Sequence, residues 1–469
     1  MVCVWGAVGT AMETGQRRWA GIEPAAWFAA VLLALSLTLG GGGTPAPLLE
    51  LVLQLAAMLL ALGWLWSARQ PWQNIPTGAW QLSALIIALP LLQLIPLPAG
   101  IWQAFPGREG MRAALDLTGD GESWRAISMS PPRTLSSLLA ALAAVLSLVL
   151  AAGLGARGRW LLLGIVAAGG LATLLIGAAQ LSGGAGNPAR FFDPNGIYLT
   201  GFQANHNATA DVLLIGMLAM AALGRQALNR GLIRFDGYRL GGAVLAVDTV
   251  MVLGLYLTGS RAGLALLPLV LMFQYLILQP DRKVHWFRLG ASAAATAMVA
   301  GLAFVLLRGN RMVELIAARF TLEGEFRPEL WRDSVYALGQ TWPAGSGQGT
   351  FVSVMMAAER LEVVDQTQPN RAHNDYLELV IEAGLPGLLV LVIVAILIFR
   401  ALVRARREPP AGSRAQVLFA SGTLAVIALH SLVDYPMRSM ALAAAAATAV
   451  GLLLPPLSEH KAELRGSQS

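Results

Sequence analysis

"RAHNDYLELVIEAGLPGLLVLVIVAILIFR", from Arg371 to Arg400, joins a polar cluster directly to an apolar run. His373, Asn374 and Asp375 come first. After Glu382 no charged residue appears until Arg400. A run of that kind approaches the roughly 20 residues a helix needs to cross a hydrocarbon core of about 30 Å. The same pattern recurs along the chain, near 24–40, 47–66, 78–97, 134–154, 159–181, 204–223, 239–258, 262–279, 289–308, 378–400, 414–431 and 438–455. The 469 residues are 56% hydrophobic and 13% charged. A soluble chain is nearer 45–50% apolar and about a quarter charged. The sequence therefore predicts an all-α polytopic membrane protein with about 12 transmembrane helices.

Charge distribution orients these spans. Arg17, Arg18, Arg69, Arg157, Arg225, Arg230, Arg282, Lys283, Arg404, Arg407, Lys461 and Arg465 fall in one set of mostly short connections. The positive-inside rule makes that set cytoplasmic, with both termini inside. The net charge of +6 is concentrated there and does not point to nucleic acid. The single cysteine, Cys3, has no internal partner for a disulfide. The first apolar segment is followed by further spans, not by a cleavage site and a soluble domain, so it reads as a span and not as a cleaved signal.

The opposite face holds connections at 98–133, 182–203, 258–262, 309–377 and 432–437. The expected organisation is a tail over 1–23, nine spans over 24–308, an external segment over 309–377, three spans over 378–455 and a tail over 456–469. In the external segment, "RPELWRDSVYALGQ" puts Leu330, Trp331, Val335 and Leu338 near one helical face. Pro343, Gly345, Gly347 and Gly349 mark a turn after it. Short helices lying over the membrane mouth are expected there.

Helix capping accounts for part of "HNDYLE": Asp375 and Glu378 have the spacing of a capping box. His373 and Asn374 precede that box. An imidazole at a membrane interface can be an amphipathic anchor or a proton acceptor. Arg261 in "TGSRAG", Arg190 in "NPARFFDPNG" and Arg332 in "ELWRDS" lie on the same face. Singly, each reads as a solvated loop cation. Together near His373 they would make forks suited to phosphate oxygens, beside a base suited to a hydroxyl proton. Asn205 and His206 open a span on that face, and Tyr376 follows Asp375. His430 and Asp434, in "HSLVDYP", suit a structural hydrogen bond. No His-Glu-x-x-His or cysteine cluster marks a metal site. Asp248, in the middle of a span, and Asp211 favour a different class, a proton-coupled transporter or lipid flippase. The concentration of polar sequence at one face, not at mid-membrane, argues against it.

"TGSRAGLAL", "ELWRDS…WPAGSGQGTF" and "RAHNDYLELVIEAGLPG" resemble the O-antigen ligase and polysaccharide polymerase family, over roughly Asn187 to Tyr435. The resemblance implies a GT-C-like glycosyltransferase of the bacterial inner membrane with its active site facing the periplasm. It implies a donor glycan carried on undecaprenyl diphosphate and a lipid or glycan acceptor, with neither cofactor nor metal. It places His373 as general base, Arg261 and Arg332 on the diphosphate with Arg190 beside them, and Asn374, Asp375, Tyr376, Asn205 and His206 in support. A ligase is the first expectation, then a polymerase, then a protein O-oligosaccharyltransferase.

Overall fold

The computed structural model describes residues 22–457 apart from 43–46, 68, 184–185, 193–195, 235–236, most of 280–310, 319–325, 363, 365–367 and 411–412. Most of both tails, with Cys3, Arg17, Arg18, Lys461 and Arg465, and the connection carrying Arg282, Lys283 and Arg288 lie outside the described residues. So does most of the run expected near 289–308.

The protein is all-α and polytopic. Its apolar helices are α1 (Pro24–Leu39), α2 (Pro47–Ser67), α3 (Thr77–Gln93), α6 (Pro131–Gly153), α7 (Ala156–Ser182), α8 (His206–Asn229), α9 (Gly237–Leu257), α10 (Arg261–Leu278), α14 (Asp375–Arg407), α15 (Arg414–His430) and α16 (Met440–Leu453). Between them lie α4 (Ala99–Trp102), α5 (Glu109–Thr118), α11 (Arg311–Ala318), α12 (Arg327–Thr341) and α13 (Phe351–Ala358). Among the described residues, 7 helices are long and apolar enough to cross a membrane: α2, α6, α7, α8, α9, α10 and α14. Four expected spans are shorter helices, α1, α3, α15 and α16. Their apolar runs continue into non-helical backbone. The α1 run ends in Gly40 and Gly41, whose carbonyls accept from Ala441 and Ala204 instead of continuing the helix. The α16 run begins only after a 3₁₀ turn at Pro436–Arg438.

The central pillar is α8, in which every residue from Asn207 to Ala219 is buried. It is rich in alanine, and Gly216 faces Gly170 of α7 so closely that a Cβ on either would touch the other's Cα. Small residues permit such approach between spans, where lipid offers no hydrophobic drive to associate.

Hydrogen bonds define two ends. At one, Ala204 N donates to Gly41 O at 2.8 Å, Ser128 N to Gln93 O at 2.9 Å, Leu199 N to Leu257 O at 2.9 Å and Asp375 N to Ser431 O at 3.0 Å. At the other, Gly155 N donates to Glu23 Oε1 at 2.7 Å, Arg159 to the Leu452 and Leu454 carbonyls at 2.8 and 2.7 Å, and Leu457 N to Asn74 O at 3.0 Å.

The 98–133 connection, expected only as a loop, is folded. Strand β1 (Pro96–Leu97) pairs antiparallel with β2 (Arg125–Ala126), Pro96 opposite Ala126. The buried Arg108 guanidinium donates to Ile127 O at 2.7 Å and to Gly345 O at 2.9 Å, docking this unit on the 343–349 turn. Burial lowers the Arg108 pKa to about 10. The same turn grips α14: Ser346 N donates to Ile381 O, Gly347 N to Glu382 O and Leu385 N to Pro343 O. Opposite Pro343, Gly384 leaves helical geometry at φ 57°, ψ −147°, so α14 is kinked where the external turn presses into it.

In α12 the buried positions are Leu330, Asp333, Ser334, Ala337 and Thr341. The face expected from apolar spacing is displaced: Val335 is 58% exposed, while polar Asp333 and Ser334 point inward.

Candidate active site

Backbone constraints on both sides fix His373. Ala372 N donates to Glu378 Oε2 at 2.9 Å. Asn374 caps α14 by accepting from Leu377 N at 3.0 Å, and its Nδ2 donates to Leu432 O at 3.0 Å. Between these anchors His373 sits at φ 47°, a left-handed conformation that costs a non-glycine residue roughly 1–3 kcal/mol. The cap is therefore Asn374, not Asp375. Glu378 turns away from the cap because Arg371 and Arg438 draw it inward. Its oxygens meet Arg371 Nη1 at 3.0 Å and Arg438 Nε at 3.3 Å.

The imidazole Nδ1 lies 3.1 Å from Asp434 Oδ1, with the side chains 16% and 2% exposed respectively. Phe326 and Tyr435 meet the ring edge-on at 5.2 and 4.9 Å. Asp434 also accepts from Tyr435 N at 3.0 Å and from Asn205 Nδ2 at 3.5 Å. Burial alone would raise the Asp434 pKa. The His373 hydrogen bond, with the charges of His373, His430 and Arg327, outweighs burial and holds the carboxyl below the usual range. Burial, then the Asp434 charge, pushes the Tyr435 hydroxyl up to about 12. With Nδ1–H assigned to Asp434 by this hydrogen bond, Nε2 keeps the lone pair.

Behind this pair lies a buried ionic cluster. Asp375 Oδ2 accepts from Ser431 Oγ at 2.9 Å and Met437 N at 3.0 Å. Arg438 reaches Glu382 Oε2 at 2.9 Å and Asp375 Oδ1 at 3.7 Å. Burial would lower the Arg438 pKa, but the three carboxylates overcome it and raise it. Glu382 Oε1 accepts from Phe351 N at 3.1 Å, tying α13 to α14. Tyr376 donates to Ala428 O at 2.8 Å, tying α14 to α15.

The structure thus brings His373 and Asn205 to Asp434, while Asn374, Asp375 and Tyr376 bond the chain on either side of it, at Leu432, Ser431 and Met437, and Ala428. His206 stacks on Tyr198 at 4.7 Å. Arg261 heads α10, next to the Ser260 cap that accepts from Gly263 N at 3.0 Å. Arg190 is 6% exposed. Arg332 is exposed, off the buried face of α12. Arg327, one turn before Leu330 on that buried face, acts electrostatically on both Asp434 and His430, and its guanidinium lies 5.7 Å from the Phe326 ring centre. Sequence reading missed Arg327, Arg371 and Arg438, and gave Asp434 a structural hydrogen bond only. The burial period of α12 would have distinguished Arg327 from Arg332, but long-range pairing of Asp434 with His373 leaves no local signature.

His430 and Asp434 do not bond each other through their side chains. His430 Nδ1 instead lies 2.6 Å from Asp211 Oδ1, inside the bundle. Asp248 Oδ1 accepts from Gln274 Nε2 at 3.0 Å, and that amide also reaches Met217 O at 3.1 Å, tying α8, α9 and α10 together. Among the described residues no group of three or more His, Cys, Asp or Glu side chains is placed to hold a metal ion.

Residues 246–392 match the O-antigen ligase family model. The O-antigen ligase match runs from α9 into the apolar part of α14. It takes in Arg261, Arg327, Arg332, His373, Asp375, Glu378 and Glu382, and stops short of Asp434 and Arg438. It marks the protein as a membrane enzyme of the glycosyltransferase and ligase type, acting on glycans. No curated protein matches the chain.

Proposed function

We propose that this O-antigen-ligase-like protein transfers a glycan from undecaprenyl diphosphate to an acceptor hydroxyl at the periplasmic face of the bacterial inner membrane. The observation that carries the reading is the His373–Asp434 pair, partly open at the mouth of the bundle and built within the matched segment and its flank. His373 Nε2 takes the acceptor O–H proton. The acceptor oxygen attacks the anomeric carbon, and the bond from that carbon to the diphosphate oxygen breaks, the oxygen keeping the electron pair. Asp434 holds the ring and stabilises the imidazolium as it forms. Arg261 and Arg327 hold the diphosphate, with Arg190 beside them. Arg332 is the weaker candidate, because its exposed side chain would have to swing from the outer face of α12. Asn205, Asn374, Asp375 and Tyr376 support the pair, with His206 at the rim.

Helix polarity supports twelve spans in a GT-C-like arrangement. The described apolar helices alternate in direction between the two ends, except that α10 and α14, successive in that set, both start at the site end. Joining the end of α10 to α12 at the site end then requires one further crossing between 279 and 327. On this reading 309–377 is periplasmic, and the tails 1–23 and 456–469 are cytoplasmic, with Arg400, Arg404 and Arg407 on the inner side.

One observation favours a polymerase as the second reading: the folded 98–133 unit gives the outer face a second ordered element, and two lipid-linked glycans need more surface than one. Gene deletion separates the two. Loss of a ligase leaves long glycan on the undecaprenyl carrier and none on its acceptor, whereas loss of a polymerase leaves single repeat units. Complementation with His373→Ala should fail while the protein still accumulates in the membrane. Normal transfer by that variant returns His373 to an interface anchor.

A further inference from the structure

We infer that His430, paired with Asp211 inside the bundle, is a positioning residue for the His373–Asp434 pair. This rests on the function proposed for His373. The pair is almost fully enclosed, with His430 1% and Asp211 0% exposed. Burying such a pair costs several kcal/mol per ion, and apolar replacements of the same volume are often no less stable. Stability alone is therefore a poor reason for it. Its location supplies another. His430 closes α15, and its carbonyl accepts from both Val433 N and Asp434 N at 2.9 Å. The turn that presents Asp434 to His373 thus hangs from this residue. Asp211 in the second turn of α8 fixes the imidazole through Nδ1 at 2.6 Å, and α8 is the most enclosed helix among the candidate spans. Rigid α8 thereby sets the end of α15, the turn and the carboxylate in sequence.

His430 also acts on Asp434 directly, its charge being one of those that hold the carboxyl low. Arg327 acts on both. A clamp that only fastened α8 to α15 would need no histidine at the residue from which the Asp434 turn springs.

The test uses the full chain in detergent, labelled with ¹⁵N-histidine, as parent, His430→Gln, Asp434→Asn and the double variant. In the parent, the His373 resonances should show one tautomer, with Nδ1 protonated. His430→Gln should move them toward the mixed tautomers seen in Asp434→Asn. With undecaprenyl-diphosphate N-acetylglucosamine as donor probe, His430→Gln should lower kcat about 10–100-fold and leave the donor KM within about twofold, as expected of lost alignment. The double variant should be no slower than Asp434→Asn alone, because both act through one carboxylate.

Unchanged His373 resonances in folded His430→Gln overturn the inference, as do additive losses in the double variant. Either result leaves the pair as a helix clamp. If His373→Ala turns over normally, the catalytic reading fails instead, while the resonance comparison still decides whether His430 positions the ring. Should His430→Gln not accumulate, Asp211→Asn keeps the shape and must give the same resonance shift. Gln274→Met serves as a control. It loosens α8 against α9 and α10, so it should lower the unfolding temperature without moving the His373 resonances.

Discussion

Asp434→Asn isolates what the carboxylate contributes, because it keeps shape and removes charge. At the 3.1 Å separation from His373 Nδ1, a unit charge pair is worth about 5 kcal/mol with an effective dielectric near 20. Asp434 is nearly enclosed and His373 is only 16% exposed, so solvent screens little of it. Part is lost to the remaining amide–imidazole hydrogen bond and to relaxation of the turn, leaving about 3–4 kcal/mol of stabilisation for the imidazolium in the transition state. That corresponds to a kcat lower by roughly 10²–10³-fold. The donor KM should hold steady, since Asp434 faces the ring and not the diphosphate. The assay is initial-rate glycan transfer by purified protein in detergent, with His373→Ala alongside. In detergent there is no sealed compartment, so transport gives no signal. A rate for Asp434→Asn within about threefold of the parent would show that the pair is not the catalytic unit. The same variant should reduce the acid sensitivity of the fold. A carboxyl held low when folded contributes stability above its unfolded pKa, lost as pH falls through the folded value, and the amide has none to lose.

Arg438→Met should lower stability by about 3–5 kcal/mol, because it leaves Glu382 and Asp375 as buried acids without their cation and Glu378 with Arg371 alone, and the unfolding temperature in detergent reads this. Gly384→Ala should cost about 3 kcal/mol or more, since a Cβ at φ 57° meets the Pro343 carbonyl, whereas Gly100→Ala, with open space around it, should be silent. Arg327→Lys should stay strongly impaired in transfer because it loses the fork, while Arg332→Ala should act near the parent rate; the reverse order in one kinetic series would restore Arg332 to the site.

The membrane architecture was legible because uncharged runs leave few alternatives to a spanning helix. His373 was legible for a related reason, since it stands immediately before such a run. Span lengths were less legible. Apolar composition continues through Gly40 and Gly41, where backbone contacts with Ala204 and Ala441 end the helix. The buried face of α12 is not legible by the rule that apolar spacing marks the buried side. At a membrane mouth that rule weakens: Val335 and Tyr336 are each 58% exposed, while Asp333 is buried against Arg360 at 2.5 Å. Arg332 enters the expected site through the family resemblance, while Arg327, which shares the buried period of α12, has no motif to mark it. Asp434 is visible in the sequence, but its pairing is not, because 61 positions separate it from His373.

The acidic residues around His373 pose a difficulty for any site that must receive a diphosphate. A carboxylate left unpaired at 6 Å would repel each phosphate charge by about 3 kcal/mol at an effective dielectric near 20. Here each acid is already engaged. Glu378 is taken by Arg371, Arg438 and the Ala372 amide, Glu382 by Arg438 and the Phe351 amide, and Asp375 by Ser431, the Met437 amide and Arg438. Arg438, in the turn before α16, meets all three. Arg371 and Arg438 are therefore spent on the scaffold and are poor candidates for the diphosphate. The cations proposed to meet it lie on other elements, Arg327 on α12 and Arg261 at the head of α10. The acids behind the histidine are thus neutralised in place and hold it, and on the proposed reading the diphosphate would be met by arginines of other helices, not by those that neutralise this cluster.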